Sequence, residues 1–357
     1  MFREMRRSAV LWRLRARYGT LALLTMLTLL VGCGPDQTKE TYGGSQNHVH
    51  DLLALRGVPR TVLMATHFGL YRTVDGGHTW AMVAGGAGQQ MDGLMIYKLV
   101  ESSIDTRRVY VLAIPRTDQP GDAKGIAGVY ASADSGQTWR LTSPAIALPT
   151  RSLFTLSAGP DSAEQILTLL PSLGRNGLYA SDDSGAHWRQ LPSLPDAQVT
   201  GVMGDPQRSG RIWAWSTSTG LYMSEDGARS WRAAEGIRGG ISSISFAGAV
   251  VYASGDAGMY VSSDGGSRFA LANADVTFSR VFACAAQPER AYALAGTAVY
   301  STMDGGRSWQ RTAPTSKSAS TITVDPADAN MAYLGFSYPI GVHATVDGGA
   351  SWRSVLP

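Results

Sequence analysis

Three histidines near the start of this chain have the residue type and the spacing for chemistry. His48 and His50 are one residue apart, which places both on the same side of a β-strand, and His67 ends the next apolar run. Imidazole binds zinc and copper and also transfers protons near neutral pH. With Asp51 or Asp92 nearby, the group could bind a transition metal, bind another ligand, or take part in hydrogen-bonded packing. The spacing matches no standard metal signature, so the sequence predicts no metal and no other cofactor.

Charged residues in the long connections between apolar runs form a second set of candidates. Arginines that face one opening could hold an anion or a carboxylate, and a solvated rim is the alternative. The arginines are Arg116, Arg151, Arg175 and Arg238. Hydrolysis of a glycosidic bond would require two carboxylates about 5 to 10 Å apart. The candidates for that role are Asp92, Asp118, Asp122 and Asp256.

A short phrase occurs seven times between Gly69 and Trp352. Each copy has a hydroxyl residue, an aspartate two positions later, Gly or Ala after two more, and an aromatic residue five positions after the aspartate. The aspartates are Asp75, Asp134, Asp183, Asp226, Asp264, Asp304 and Asp347. The aromatic residues are Trp80, Trp139, Trp188, Trp231, Phe269, Trp309 and Trp352. A period of roughly 40 to 50 residues is typical of propellers and solenoids.

Each repeat predicts four antiparallel strands, which we label A to D. In the first repeat we expect them at residues 48–55, 61–67, 69–75 and 79–84. The phrase covers strand C, the C–D turn and the start of D, so its aspartate is interpreted as an acceptor for backbone N–H groups in the turn. Its aromatic residue is interpreted as packing between sheets, with sugar stacking as the alternative. The fold class predicted is all-β, a seven-bladed β-propeller.

The phrase S/T-x-D-x-G-x-T/S-W resembles the Asp-box, or BNR repeat, of sialidases, xyloglucan hydrolases, sortilin-type receptors and the photosystem II assembly factors. The chain is also similar to bacterial lipoproteins described as glycosyl hydrolases, in which a segment like HVHDL precedes one like ATHFGLY. The resemblance covers nearly all of the mature chain and implies a propeller with Asp-box C–D turns. In sialidases these boxes lie away from the catalytic centre.

Strand direction divides the connections between two rims. The A–B and C–D turns share one rim, and the B–C and D–A connections share the other, which we call the loop rim. The three histidines and the charged candidates above belong to the loop rim, and Glu235 is almost the only glutamate expected there. The repeated phrases all belong to the opposite rim, the turn rim.

The first 32 residues are expected to be an export signal. Six arginines precede an apolar run, Leu21 to Val31, that is shorter than the roughly 20 residues a membrane-spanning helix needs. The segment around Cys33 resembles the bacterial lipobox, which implies that this cysteine carries a lipid. Residues 33–46 would be a flexible tether and residues 47–357 the propeller. If Cys33 carries a lipid, Cys284, the second of two cysteines, has no disulfide partner.

The sequence therefore predicts an exported lipoprotein, anchored to a bacterial membrane and monomeric. Outside the signal there are 25 basic and 27 acidic residues, so no nucleic-acid partner is expected. No acidic pair stands out from its surroundings, which favours a non-catalytic propeller that binds a protein or a glycan on the loop rim. The alternative is a glycosyl hydrolase, sialidase-like or another exo-glycosidase, and the question of enzymatic activity stays open.

Overall fold

The computed structural model describes residues 47–116, 123–144, 155–172, 175–196, 198–314, 319–337 and 340–356. These residues form 28 β-strands in seven four-stranded antiparallel sheets. No helix that is long and apolar enough to cross a membrane occurs in the described ranges. The predicted fold class, a seven-bladed β-propeller, is confirmed. The expected signal, Cys33 and most of the tether lie outside the described residues.

Each blade is built from four consecutive strands, and the strand order within each sheet follows the chain. Blades one and two contain β1 Val49–Ala54, β2 Val62–Thr66, β3 Gly69–Thr73, β4 Ala81–Ala84, β5 Leu94–Glu101, β6 Val109–Pro115, β7 Gly128–Ser132 and β8 Arg140–Pro144. Blades three and four contain β9 Ser157–Ala158, β10 Ile166–Ser172, β11 Arg175–Ser181, β12 Arg189–Gln190, β13 Gly201–Gly204, β14 Ile212–Ser216, β15 Gly220–Ser224 and β16 Arg232–Ala233. The strands expected in blade one are correct to within two residues at each end.

The last three blades complete the ring. They contain β17 Ile241–Ala247, β18 Val250–Gly255, β19 Gly258–Ser262, β20 Ala270–Asn273, β21 Arg280–Cys284, β22 Gln287–Ala295, β23 Ala298–Thr302, β24 Gln310–Pro314, β25 Ala319–Val324, β26 Ala332–Phe336, β27 Gly341–Thr345 and β28 Arg353–Ser354. In the described part of the chain, no strand of blade seven is contributed by the N-terminal side. Packing of blade seven against blade one closes the ring: Val49 and Val62 are buried with Tyr333 and Val342.

The core consists of seven apolar layers, one between each pair of neighbouring sheets. The layer between blades one and two, for example, holds Leu63 and Leu70 together with Ile96 and Val111. The aromatic residue of every repeat belongs to the layer between its own blade and the preceding one. Burial of the apolar surface of these layers is the main favourable contribution to holding the blades together.

The repeated turns satisfy their own polar groups. In blade one, Thr73 Oγ1 donates to Asp75 Oδ1 at 2.7 Å and accepts from Gly77 N at 2.9 Å. Thr79 donates its N–H to Asp75 Oδ1 at 3.0 Å and its hydroxyl to Oδ2 at 2.6 Å. The serine or threonine bond to the aspartate recurs in all seven blades, with O···O distances of 2.6 to 2.8 Å.

Each repeated turn is also tied to the A–B turn of its own blade. In every blade a backbone N–H of the C–D turn donates to a carbonyl in or just after the A–B turn, as from Gly76 to Arg60 at 3.0 Å and from Gly348 to Asn330 at 3.1 Å. The two kinds of turn therefore share one rim, as strand direction requires. The B–C and D–A connections remain for the loop rim.

Candidate functional site

The structure brings His48, His50 and His67 together on the loop rim of blade one. One ring nitrogen from each histidine lies within 4.8 Å of the other two. The ring centroid of His48 is 4.3 Å from that of His50 and 5.0 Å from that of His67. His67 is buried, with 7% of its surface exposed, and the other two are half-buried. The cluster is therefore only partly exposed to solvent.

Local backbone structure fixes this convergence. His67 follows β2 directly, and its N–H donates to the His48 carbonyl at 3.2 Å, which continues the β1–β2 ladder by one bond. Thr66 Oγ1 donates to the Gly69 carbonyl at 2.9 Å and so holds the tight B–C turn after His67. His50 is the extra residue of a β-bulge, because the register of β1 against β2 shifts between Val49 and Asp51. A bulge re-aims a side chain relative to regular pleating.

His50 has an unusual electrostatic environment. Burial lowers the pKa of His50 from 6.5 to about 3, the neighbouring His48 and His67 act in the same direction, and Asp51 opposes them. Nε2 of His50 is buried and has no hydrogen-bond partner among the described residues. The imidazole is therefore neutral over the physiological pH range.

Asp51, a candidate fourth ligand of this cluster, has other partners. Its Oδ2 accepts from Lys98 Nζ at 2.7 Å and from Leu99 N at 3.1 Å, both in blade two. Its Oδ1 accepts from Leu52 N at 3.2 Å and from Thr321 Oγ1 of blade seven at 3.4 Å. Asp51 thus connects three blades. It is not part of the three-histidine group.

Two aromatic residues that the sequence did not single out extend the cluster. Tyr97 of blade two lies 5.7 Å from His50 between ring centroids, and 39% of its surface is exposed. Phe68 packs edge-on against His67 at 5.0 Å, and the guanidinium of Arg116 lies 4.9 Å from the Phe68 ring centroid. The three histidines, Phe68, Tyr97 and Arg116 thus form a row of rings that ends in a cation. We call this row the ring cluster.

The position of Tyr97 repeats that of His50. The register of β5 against β6 also shifts across Tyr97, between Ile96 and Lys98. The same irregularity falls at Ser242 in blade five and at Ser320 in blade seven. An alignment of the A strands of blades one and two places Tyr97 at the position of His50. That alignment was the sequence signal that could have identified Tyr97.

The arginine candidates that the structure describes lie in different blades. Arg116 follows β6 in blade two, and Arg175 opens β11 at the B–C end of blade three. Arg238 lies between blades four and five, where its backbone N–H and carbonyl both bond the Tyr260 hydroxyl. Arg151 lies outside the described residues. The described arginines are thus distributed around the rim, and only Arg116 belongs to the ring cluster.

The carboxylate candidates are similarly separated. Asp92 lies between blades one and two, and its Oδ2 accepts from Gly88 N at 2.8 Å. Asp256 occupies the B–C turn of blade five, where its carbonyl accepts from Thr277 Oγ1 at 3.4 Å. That bond brings the connection containing Asp275, a residue not considered from the sequence, beside Asp256. Asp118 and Asp122 lie outside the described residues.

The expectation that Glu235 belongs to the loop rim is wrong. Its carboxylate lies 3.6 Å from Arg268 Nε, and its carbonyl accepts from Phe269 N at 2.8 Å. Arg268 and Phe269 directly follow the repeated turn of blade five. Glu235 follows the end of β16 at Ala233 and forms an isolated parallel β-bridge with Arg268 of blade five.

No protein-family model and no curated protein matches the chain. Solved structures do match, over most of the propeller. The GH74 xyloglucanase of Xanthomonas campestris is 19% identical with a TM-score of 0.66, covering 87% of this chain and 55% of that one. YCF48 from Cyanidioschyzon merolae is 14% identical with a TM-score of 0.58, covering 84% of this chain and 96% of that one.

Two further structures have the same fold. The GH74 enzyme of Niastella koreensis is 16% identical with a TM-score of 0.67, covering 87% of this chain and 54% of that one. A YCF48 structure bound to a D1 peptide is 14% identical with a TM-score of 0.51, covering 74% of this chain and 82% of that one. These likenesses show the fold alone. The chain spans about half the length of the two GH74 enzymes.

Proposed function

We propose that this chain is an exported, lipid-anchored propeller that binds a protein or a glycan on the loop rim of blades one and two, without catalysis. The observation that carries the proposal is the ring cluster. It combines four kinds of side chain, Tyr, Phe, His and Arg, on one rim, with Tyr97 exposed and His67 buried. Tyrosine and arginine are enriched among residues that dominate binding energy at interfaces, and aromatic rings also stack on sugars.

The distribution of glutamates supports binding over hydrolysis. Within the described ranges, Glu101, Glu164, Glu225 and Glu235 each pair with an arginine. Glu289 carries no such pair, but its carbonyl bonds the repeated turn of blade six, which puts it on the turn rim. Glycoside hydrolysis needs two carboxylates with room for substrate between them. The five glutamates therefore contribute no pair on the loop rim.

The comparisons are compatible with binding, because a propeller of the same fold, YCF48, has been solved with a peptide bound. A peptide is the ligand that the composition of the ring cluster favours. The ring cluster includes the guanidinium of Arg116, a group that pairs with carboxylates, and its rings offer apolar surface at a low cost in side-chain entropy.

The experiment is a screen of a displayed peptide library and a glycan array with the purified protein, in the presence of EDTA. Tyr97→Ala and Arg116→Ala should each lower the affinity for the selected ligand by about tenfold or more. Val74→Ser is the matched control, since Val74 is 56% exposed on the turn rim. Affinity that depends on Val74 and not on Tyr97 or Arg116 would contradict the proposal.

A glycosyl hydrolase is the second candidate, and the likeness to the two GH74 enzymes favours it. The carboxylates that it would use are Asp256 with Asp275, or Asp118 with Asp122. Fluorogenic glycosides and xyloglucan oligosaccharides should remain intact after prolonged incubation with the protein. Hydrolysis that disappears in Asp256→Asn or Asp118→Asn would establish the enzyme and reject the binding-only function.

The anchor is a separate part of the proposal and rests on the lipobox around Cys33. Cells grown with a labelled fatty acid should incorporate the label into the wild-type protein, and the protein should fractionate with membranes. Cys33→Ser should abolish both the label and the membrane fraction. Cys284→Ser is the control, because Cys284 is buried in the propeller and should not accept a lipid.

A further inference from the structure

The three histidines of the ring cluster have the arrangement of a metal site. Their ligand nitrogens lie within 4.8 Å of one another, while neighbouring ligands of a tetrahedral zinc ion, with Zn–N bonds of about 2.0 to 2.1 Å, are roughly 3.3 Å apart. Small rotations about the side-chain bonds close that difference. The backbone needs no change, because the His67 N–H to His48 carbonyl bond already holds the two strand ends together.

The donor atoms of the cluster point to a ligand. Nε2 of His50 is buried without a hydrogen-bond partner in the described part of the chain. A buried polar atom in that condition lowers stability unless something else satisfies it. A metal ion would provide the missing partner for this atom. Hydrogen-bonded packing within the described residues, a second interpretation of the three histidines, leaves this atom unsatisfied.

The chemistry of the donors selects the ion. Imidazole nitrogen favours zinc and copper, whereas calcium and magnesium require several oxygen ligands. Asp51 does not supply such oxygens, because both carboxylate oxygens are engaged by Lys98, Leu52, Leu99 and Thr321. Three protein ligands also leave a fourth position of a tetrahedral ion open.

We propose that His48, His50 and His67 bind one transition-metal ion of the zinc and copper class, with its open coordination position toward the loop rim. The proposal deepens the function above, since the ion would lie within the ring cluster and could accept a carboxylate or imidazole from the bound ligand. The sequence left metal binding by these histidines open as one of three interpretations and predicted no cofactor. It does not require catalysis.

The first test is calorimetric titration of the full chain, purified in detergent with a tag that contains no histidine and stripped with EDTA, with zinc chloride. One zinc ion should bind per chain. His48→Ala, His50→Ala and His67→Ala should each weaken binding by at least about 100-fold, because loss of an outer-sphere partner alone costs about 10- to 100-fold. His78→Ala should bind like the wild type, since His78 contacts only its own repeated turn at Asp75.

The second test counts the histidines that bind the metal ion. Electron paramagnetic resonance of the copper-loaded protein should show coupling to three imidazole nitrogens, and to two in His67→Gln. Far-UV circular dichroism establishes that each variant is folded, and the glutamine variant keeps much of the side-chain shape where alanine leaves a cavity. Copper coupling that is the same in the wild type and in His67→Gln would overturn the proposal.

Other outcomes separate the metal from the proposed function. Absence of zinc and copper binding to the wild type, or equal loss in His78→Ala and His67→Ala, would reject the metal site. Ligand binding that persists in EDTA and depends on Tyr97 would leave the binding function intact in that case. Zinc binding by a wild-type protein that selects no peptide and no glycan would reject the binding function and leave the metal site.

Discussion

The repeated aspartates of the turn rim and His50 of the loop rim differ in how their polar atoms are satisfied. On the turn rim, each repeated aspartate accepts hydrogen bonds from a hydroxyl two residues earlier and from the backbone that follows it. On the loop rim of blade one, His50 Nε2 is buried and has no partner among the described residues. The turn rim is built for stability. The loop rim carries an unfavourable arrangement that a bound ligand would relieve.

This difference shows how a repeat can be separated from a function. Seven copies of one turn are what a seven-fold architecture needs, and in each copy the aspartate is satisfied within its own turn. Among the described residues the ring cluster occurs once and combines residues of blades one and two. The repeated turns therefore maintain the fold, whereas binding of a specific ligand depends on residues that the repeats do not share.

The largest effect expected is on the turn rim, at a glycine. A Cβ at Gly266 would lie 2.3 Å from the buried ring of Trp213, and its φ of +82° is strained for any other residue. Gly266→Ala should lower the free energy of unfolding by about 3 kcal/mol, measured by urea denaturation. Gly227→Ala is the control: its φ is +69° but nothing lies within 4 Å, so the loss should be about 1 kcal/mol. Equal losses would mean that Trp213 is not packed as described.

The second prediction compares one carboxylate from each rim. Asp134 accepts from the Ser132 hydroxyl, the Gln137 N–H and both the N–H and hydroxyl of Thr138. Asp134→Ala should therefore destabilise the protein by about 1–2 kcal/mol, even though the turn is at the surface. Asp92→Ala removes one bond in an exposed loop and should change stability by less than about 0.5 kcal/mol. Equal changes in the two urea midpoints would remove the distinction between the rims.

The third prediction concerns acid stability. The Ser230 hydroxyl, followed by the Ser230 N–H and the Ser224 hydroxyl, lowers the pKa of Asp226 from 3.8 to about 2. Because the folded-state pKa is below the unfolded one, the stabilisation is present above about pH 4 and is lost as the pH falls toward 2. Ser230→Ala should raise the pKa of Asp226, measured by NMR titration. The free energy of unfolding of the variant should also depend less on pH as the pH falls from about 4 toward 2. A pKa unchanged in the variant would show that the hydroxyl is not its cause.

The smallest effect is expected at His50, in the absence of metal. His50→Phe removes a buried nitrogen that has no partner and keeps an aromatic ring in the row, so the free energy of unfolding in EDTA should rise slightly, by about 0.5 kcal/mol. A loss of 2 kcal/mol or more in EDTA would mean that His50 serves packing and would contradict the contrast between the rims.

Most of the fold could be predicted from the sequence because the repeat reports it directly. The repeat period predicted seven blades. The aromatic residue of each phrase predicted packing between sheets, and Trp80 and Trp139, for example, lie in such layers. The error at Glu235 arose because its partners, Arg268 and Phe269, belong to the next blade and cannot be identified from the repeat alone.

The candidate site was only partly predictable. Strand direction sufficed to bring His48, His50 and His67 to one rim, because it depends on topology and not on side-chain detail. Tyr97 was missed because its position follows from a β-bulge, which shifts the alternation by one residue. The engagement of Asp51 was missed because its partners are in blades two and seven, far away in the sequence.

Hydrogen exchange of the wild-type protein with and without zinc chloride tests the central claim most directly, because it reports on both rims in one experiment. Zinc should slow exchange in peptides that contain residues 48–54, 62–68 and 94–99, and should leave the seven repeated turns unchanged. Zinc-dependent protection at the repeated turns, with none around His48, His50 and His67, would contradict the division into a structural rim and a binding rim.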